Sequence, residues 1–200
     1  MPAPGWTSSK ILKHVLGGWQ TGALATYASG APILVPASAN LLNTYTFETA
    51  SYLNRVPGVP LFLKNLNCHC FDPTKTLVLN AAAWTSPPPG TFGTSAAYYS
   101  DYRAQRHPVE NFSVGRTFRI REQMNLTIRA EFINIFNRTV FPAPSATSPL
   151  TPPTCFVSGN NGPTGACQPG STIASGFGFI QTASIPGTPR QGQIAARFRF

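Results

Sequence analysis

The stretch Pro189-Arg-Gln-Gly-Gln-Ile-Ala-Ala-Arg-Phe-Arg-Phe200 alternates between apolar and polar side chains and ends on an aromatic residue. Successive side chains of a strand point to opposite faces. One face therefore carries Ile194, Ala196, Phe198 and Phe200, and the other carries Gln193, Ala195, Arg197 and Arg199. Chain termini usually fray unless something holds them, whereas a closed membrane barrel must pair its last strand so that no edge meets lipid. The stretch therefore predicts a strand of a transmembrane β-barrel.

Two further segments upstream form an alternating pair around a short polar connection, Arg121-Glu-Gln123. Each is close to the ~9–11 residues that cross a bilayer as a tilted strand. The apolar positions of the second segment are expected to face lipid, and they are Met124, Leu126, Ile128, Ala130 and Phe132. Ile194 and Ala196 of the final strand are expected to face lipid as well. The expected lumen-facing charges are Arg129, Glu131, Arg197 and Arg199. Since Arg129 and Glu131 are two residues apart, they share a face and can pair there.

The composition is poor for a soluble surface. Only 10% of the residues are charged, against about 25% in an average soluble domain. Abundant Phe, Ser, Thr, Asn and Gly fit strands with one lipid-facing and one polar side. The net charge is +9, but the cations are scattered and form no basic run, so we expect no nucleic-acid partner.

These patterns predict an all-β fold, an antiparallel transmembrane β-barrel segment made of the last four or five strands of a large barrel. The strands are expected at about 19–35, 109–121, 123–137 and 188–200. Long extracellular loops are expected at about 36–102 and 142–175. No segment is long and apolar enough for a transmembrane helix, and no leader is visible at the start. We therefore expect the chain to be the tail of a longer protein.

The cysteines and histidines do not predict a chemical site. The Cys68-His-Cys70 spacing is tighter than zinc sites use, so we expect no metal and no cofactor. In an oxidising exterior, loop disulfides are favoured instead. Cys155 and Cys167 bracket one loop and would most simply pair with each other, whereas Cys68 and Cys70 could pair locally or across loops. His107 and Glu110 have no accompanying nucleophile or carboxylate pair, so we expect no enzyme activity.

Four segments closely resemble the carboxyl-terminal end of TonB-dependent outer-membrane receptors, in particular the Oar-like group with a carboxypeptidase-regulatory-like amino-terminal domain. The segments are Gly18-Trp-Gln with Tyr27-Ala-Ser-Gly-Ala-Pro32, Gly90-Thr-Phe-Gly93 leading to Asn111-Phe-Ser-Val and Arg119-Ile120, Arg129-Ala-Glu-Phe-Ile-Asn-Ile-Phe-Asn137, and Pro189-Arg-Gln running to Phe200. The third is the most specific. The final residues also resemble the assembly signal of outer-membrane barrels, with Gln193, Ala195, Phe198 and Phe200 in its places, although Ala195 stands where Gly is more usual.

The resemblance implies uptake of an unknown substrate across the bacterial outer membrane without covalent chemistry. The implied partners are outer-membrane lipid, the barrel assembly machinery, and the TonB energy-coupling system acting through an amino-terminal part that this sequence lacks. Transporter barrels have roughly 22 strands around a plug, so this chain is expected to act only as part of a full-length protein. A secreted all-β surface adhesion or binding module is the alternative, and the low charge and the loop cysteines permit it as well.

Overall fold

The computed structural model describes residues 17–38, 51–156, 163–185 and 187–200. Its regular structure in these ranges is all β, apart from two 3-10 helices at Ala81–Ala83 and Thr182–Ser184. Among the described residues, no helix has the length and apolar character needed to cross a membrane. The all-β, antiparallel prediction is therefore confirmed. The strands are β1 (Trp19–Ala28), β2 (Asn54–Arg55), β3 (Trp84–Thr85), β4 (His107–Arg119), β5 (Asn125–Ile133), β6 (Thr154–Phe156), β7 (Pro163–Ala166), β8 (Ile173–Ser175) and β9 (Gln191–Arg199).

The chain divides into two compact units. The first, here called the sheet unit, contains the four longest strands and comprises residues 17–28 of the described chain with His107–Thr139 and Gly187–Phe200. The second, here called the loop unit, comprises Ser29–Arg106 and Val140–Pro186. It corresponds closely to the two stretches expected to be long loops.

The sheet unit is one antiparallel sheet with strand order β1-β4-β5-β9. Trp19 lies opposite Arg116, Val114 opposite Ala130, and Ala130 opposite Ile194. A tight turn links β4 to β5, where the Met124 N–H donates to the Arg121 carbonyl at 3.1 Å. Both longer connections, from β1 to β4 and from β5 to β9, leave from the opposite end of the sheet. Within the described residues the sheet is open, with β1 and β9 as its edges.

The first strand is shorter than the expected 19–35, because it ends at Ala28. The following residues belong to the loop unit instead. Gly30 lies so close to Ala104 that an added Cβ would be 1.9 Å from its carbonyl oxygen. Pro32 makes only an isolated bridge to Arg103, as expected for a residue that lacks a backbone donor.

The other strands also differ from the expected bounds by a few residues, since they cover His107–Arg119, Asn125–Ile133 and Gln191–Arg199. The end of β5 has a clear physical cause. Asn134 and Asn137 both have φ of +50°, the left-handed conformation that Asn tolerates better than most residues. The chain therefore leaves the sheet at Asn134 rather than continuing to 137.

The loop unit has a hydrophobic core of its own. Tyr102 is fully buried, and its ring centroid lies 5.6 Å from Phe62 and 5.4 Å from Trp84. Desolvation raises the pKa of the Tyr102 phenol. Aliphatic side chains from both segments of the unit complete the core, including Val35, Leu53, Val78, Leu79 and Ile180. These residues come mostly from irregular backbone, which is why their burial leaves no periodic pattern in the sequence.

Two disulfides stabilise the loop unit. Cys155, which is 1% exposed in the small sheet β7-β6-β8, is bonded to Cys167, the partner expected from the sequence. Cys68 is bonded locally to Cys70, which resolves the alternative that the sequence left open. The described residues contain no free cysteine.

Replacing Cys155 and Cys167 together by Ser should lower the free energy of unfolding of the loop unit by about 3 kcal/mol, because closing a loop of this length restricts the unfolded chain. The same replacement of Cys68 and Cys70 should cost about half as much, since the loop between them is far shorter. Urea unfolding of both double variants measures the difference. Equal losses would show that loop closure is not the source of the stabilisation.

Candidate functional site

The sheet unit presents one apolar and one polar face. Residues directly opposite each other in an antiparallel pair share a face, so the register assigns every strand position. The apolar face contains aliphatic and aromatic residues of all four strands: Trp19, Ala23, Tyr27, Phe112, Val114, Phe118, Leu126, Ile128, Ala130, Phe132, Ile194, Ala196 and Phe198. Much of this face is open, and Ile194 is 79% exposed. A soluble protein rarely leaves such a surface uncovered.

Aromatic residues form a band at each end of the apolar face. Trp19, Phe118 and Phe198 lie near the short turn, and Phe112, Phe132 and Tyr27 lie toward the other end. Trp19 shares its row with Arg116, Ile128 and Ala196, and the central row between the bands consists of Thr21, Val114, Ala130 and Ile194. Phe112 and Phe118 are six positions apart on β4, which corresponds to about 20 Å along the strand. Two aromatic bands around an aliphatic zone are typical of strands that face lipid.

The opposite face is polar and contains an ion pair. Arg129 Nε lies 2.8 Å from Glu131 Oε1, and the Gln193 side-chain amide donates to the other oxygen of Glu131. The Thr117 and Thr127 hydroxyls are 3.1 Å apart and hydrogen-bonded. The arrangement can therefore line a hydrated space, with Arg129, Glu131, Arg197 and Arg199 all on this face.

The apolar face includes one arginine, Arg116, which stacks on neighbouring aromatic rings. Its guanidinium carbon lies 4.6 Å from the Phe118 ring centroid and 5.4 Å from that of Trp19. Cation–π attraction offsets part of the cost of placing this charge among apolar groups. This explains how β4 tolerates Arg116 within its apolar pattern.

A buried polar cluster lies where β1 ends and β4 begins. Glu110 is 5% exposed, and Arg138 Nε donates to both of its carboxylate oxygens at 2.9 Å. The Tyr27 hydroxyl donates to Oε1 of the same carboxylate at 2.8 Å. These bonds compensate for the desolvation of the carboxylate. No local pattern in the sequence indicates this cluster, because Tyr27 and Arg138 are distant in sequence from Glu110.

Asn134 organises the chain that leaves β5. Its side-chain amide donates to the carbonyl of Thr188 at 2.9 Å and to that of Arg138 at 3.1 Å. Its side-chain oxygen accepts from the Arg138 N–H at 2.9 Å, while its own N–H donates to the Asn111 side chain at 3.0 Å. The residue thus connects the ends of β4 and β5 to the chain entering β9. Asn134 lies in the Arg129 to Asn137 segment, the most specific part of the resemblance, and this segment therefore has a structural role at this end of the sheet.

The structure shows where each site residue expected from the sequence lies in the sheet unit. Leu126, Ile128, Ala130, Phe132, Ile194 and Ala196 share the apolar face, and Met124 lies just before β5. The expected assembly residues Gln193, Ala195 and Phe198 are in β9, and Phe200 follows it with 94% of its surface exposed. The rings of Phe198 and Phe200 lie 6.3 Å apart. Their roles in lipid contact and assembly stay predictions.

Comparison with known proteins gives one family. Residues 3–193 match the family model described as an outer membrane beta barrel domain. No curated protein and no solved structure shows significant similarity to the chain. The family match covers most of the sequence and agrees with the two-faced antiparallel sheet. The chain therefore belongs to the outer membrane beta barrel domain family and is located in the outer membrane.

Proposed function

We propose that the chain is the carboxyl-terminal barrel segment of a TonB-dependent receptor of the Oar-like group. In this role it contributes to substrate uptake across the outer membrane only as part of a full-length protein, and it catalyses no reaction. Its partners are outer-membrane lipid, the barrel assembly machinery, the TonB energy-coupling system through an amino-terminal part, and an unidentified substrate. Nucleic acid is not among them.

The observation that carries the proposal is the open four-stranded sheet with one apolar and one polar face. An open sheet in lipid would leave the backbone groups of β1 and β9 unsatisfied, each at a cost of several kcal/mol. Further strands must therefore pair with these two edges in the membrane. A larger barrel supplies such strands. A secreted adhesion module is disfavoured, because the family match places the chain in the outer membrane.

The connections between strands support an orientation for the segment. In outer-membrane barrels the periplasmic turns are short and the extracellular loops are long. The Arg121–Gln123 turn is then periplasmic, and the loop unit, which both longer connections form, is extracellular. The proposed lipid-facing residues are those of the apolar face, and the polar face with Arg129 and Glu131 lines the lumen.

The complete reading frame, expressed with an epitope tag, tests the proposal. We expect the frame to continue upstream into more strands, a plug and a TonB box, and we expect the protein to crosslink to TonB in the outer membrane. Phe200→Ala should lower its amount in the outer membrane several-fold, because this aromatic would be part of the assembly signal. The control Lys75→Ala changes an extracellular residue and should have no effect.

Two results would count against the proposal. A complete translation start at Met1, with a product that assembles without further strands, would remove the fragment interpretation. If the full-length protein reached the outer membrane but never crosslinked to TonB, it would be a barrel protein without the TonB-dependent receptor function.

A further inference from the structure

The loop unit contains an open cavity of about 560 Å³. This volume is within the range of small-molecule sites. One wall is the stretch from Phe62 to Asn67, and the other consists of Ser29 and Gly30 with Asp101, Arg103, Ala104 and Arg106. Phe62, Leu63 and Leu66 contribute apolar surface to the first wall. Leu63 is 54% exposed, so apolar area is available to a bound molecule.

The charges around the cavity are mostly positive. Lys64, Arg103 and Arg106 line it, and Asp101 is the acidic residue among the lining residues. The Asp101 carboxylate is already paired with Arg55, whose two terminal nitrogens lie 3.2 and 2.6 Å from its oxygens. This hydrogen bonding holds the pKa of Asp101 below its ordinary value. Among the described residues, no ion pair involves Lys64, Arg103 or Arg106, so their charge is available to a ligand.

Hydrogen bonds fix both walls of the cavity. The Arg106 N–H donates to the Asn67 side chain at 3.1 Å, which joins one wall to the other. The Arg103 guanidinium donates to the Gly30 carbonyl at 2.8 Å. The Gln105 side chain, 4% exposed, accepts from the Phe141 N–H at 2.6 Å. The Cys68–Cys70 disulfide closes the chain immediately after Asn67. A site held in this way loses little entropy when a ligand binds.

We propose that this cavity binds a small anion that carries several negative charges and an apolar part. Lys64, Arg103 and Arg106 attract the charged groups, and Phe62, Leu63 and Leu66 contact the apolar body. The proposal goes beyond the receptor function, since every lining residue belongs to the loop unit and binding requires neither TonB nor transport. If the receptor function also holds, the cavity indicates an anionic substrate class.

Fluorescence anisotropy of the trisulfonated dye pyranine, titrated with the full chain in a nonionic detergent, tests this proposal. The wild-type chain should bind the dye, and affinity should fall as salt is raised. Lys64→Gln and Arg106→Gln should each weaken binding by about fivefold to tenfold, as expected for loss of one charge-assisted contact. Lys75→Gln is the matched control, because it removes the same charge from the loop unit away from the cavity, and it should leave the affinity unchanged.

Displacement of bound pyranine by competing anions identifies the source of the natural anion. Release of the dye by citrate points to a soluble anion, whereas release only by dihexanoylphosphatidic acid, whose phosphomonoester carries more than one negative charge, points to a lipid headgroup. Circular dichroism of each variant must match the wild type, so that lost binding is not lost folding. The site would be disproved if pyranine did not bind, or if Lys75→Gln weakened binding as much as Lys64→Gln. Failure of this test would leave the receptor proposal intact.

Discussion

Ala130→Arg should lower the free energy of unfolding of the membrane-inserted protein by about 2–4 kcal/mol, the cost of Arg on the lipid face near the bilayer midplane. Ala130 lies opposite Val114 and Ile194 on the apolar face. Its row lies midway between the two aromatic bands, where water does not reach a lipid-facing side chain. The substituted guanidinium would have to extend along the strand to reach the interface.

Ala195→Arg is the matched control, because the same Ala-to-Arg substitution is made on the polar face, one residue from Ile194, which lies opposite Ala130. Ala195 lies opposite Arg129, which adds a like-charge repulsion of less than about 1 kcal/mol. Arg129 is itself paired with Glu131, and this reduces the repulsion further. Urea unfolding in phospholipid vesicles, followed by tryptophan fluorescence, compares the two variants. Equal costs at Ala130 and Ala195 would mean that the two faces meet the same environment, and the lipid-facing assignment would fail.

The sequence predicts the two-faced strands well, because alternation is a local property. Met124 to Phe132 alternates without a break, and the structure places Asn125 to Phe132 on β5 in register with β4 and β9. The strand ends are different, since contacts distant in sequence determine them. After β1 the chain packs closely against Ala104 at Gly30. No local pattern around Gly30 indicates that Ala104 is its neighbour.

The core of the loop unit also has no local signal in the sequence. Ile33 and Tyr102 are buried in irregular backbone, where the Ile33 N–H donates to the Tyr102 carbonyl at 2.9 Å. Neither periodicity nor turn residues mark such a contact. Glu110 shows the same limit within the sheet unit, because its carboxylate lies on the apolar side of β4 and is compensated by Arg138, which follows a different strand.

The second large effect is expected at Asn134, where replacement by Ala should lower the free energy of unfolding by about 3–5 kcal/mol. The side chain makes three hydrogen bonds, to Arg138 N–H and to the Arg138 and Thr188 carbonyls, and each contributes about 1 kcal/mol. Ala must also adopt the φ of +50° found at this position, which costs about 1–2 kcal/mol for a residue with a plain Cβ.

Two further variants separate these contributions. Asn134→Gly removes the hydrogen bonds without the backbone strain, so it should be more stable than Asn134→Ala by about 1 kcal/mol. Asn137→Ala changes the same residue type at the same φ, but the Asn137 side chain accepts one described hydrogen bond, from the Arg190 N–H at 3.2 Å. Its cost should be roughly half that of Asn134→Ala. If Asn137→Ala proved as costly as Asn134→Ala, the loss would come from backbone conformation alone, and Asn134 would not connect β4, β5 and the chain entering β9.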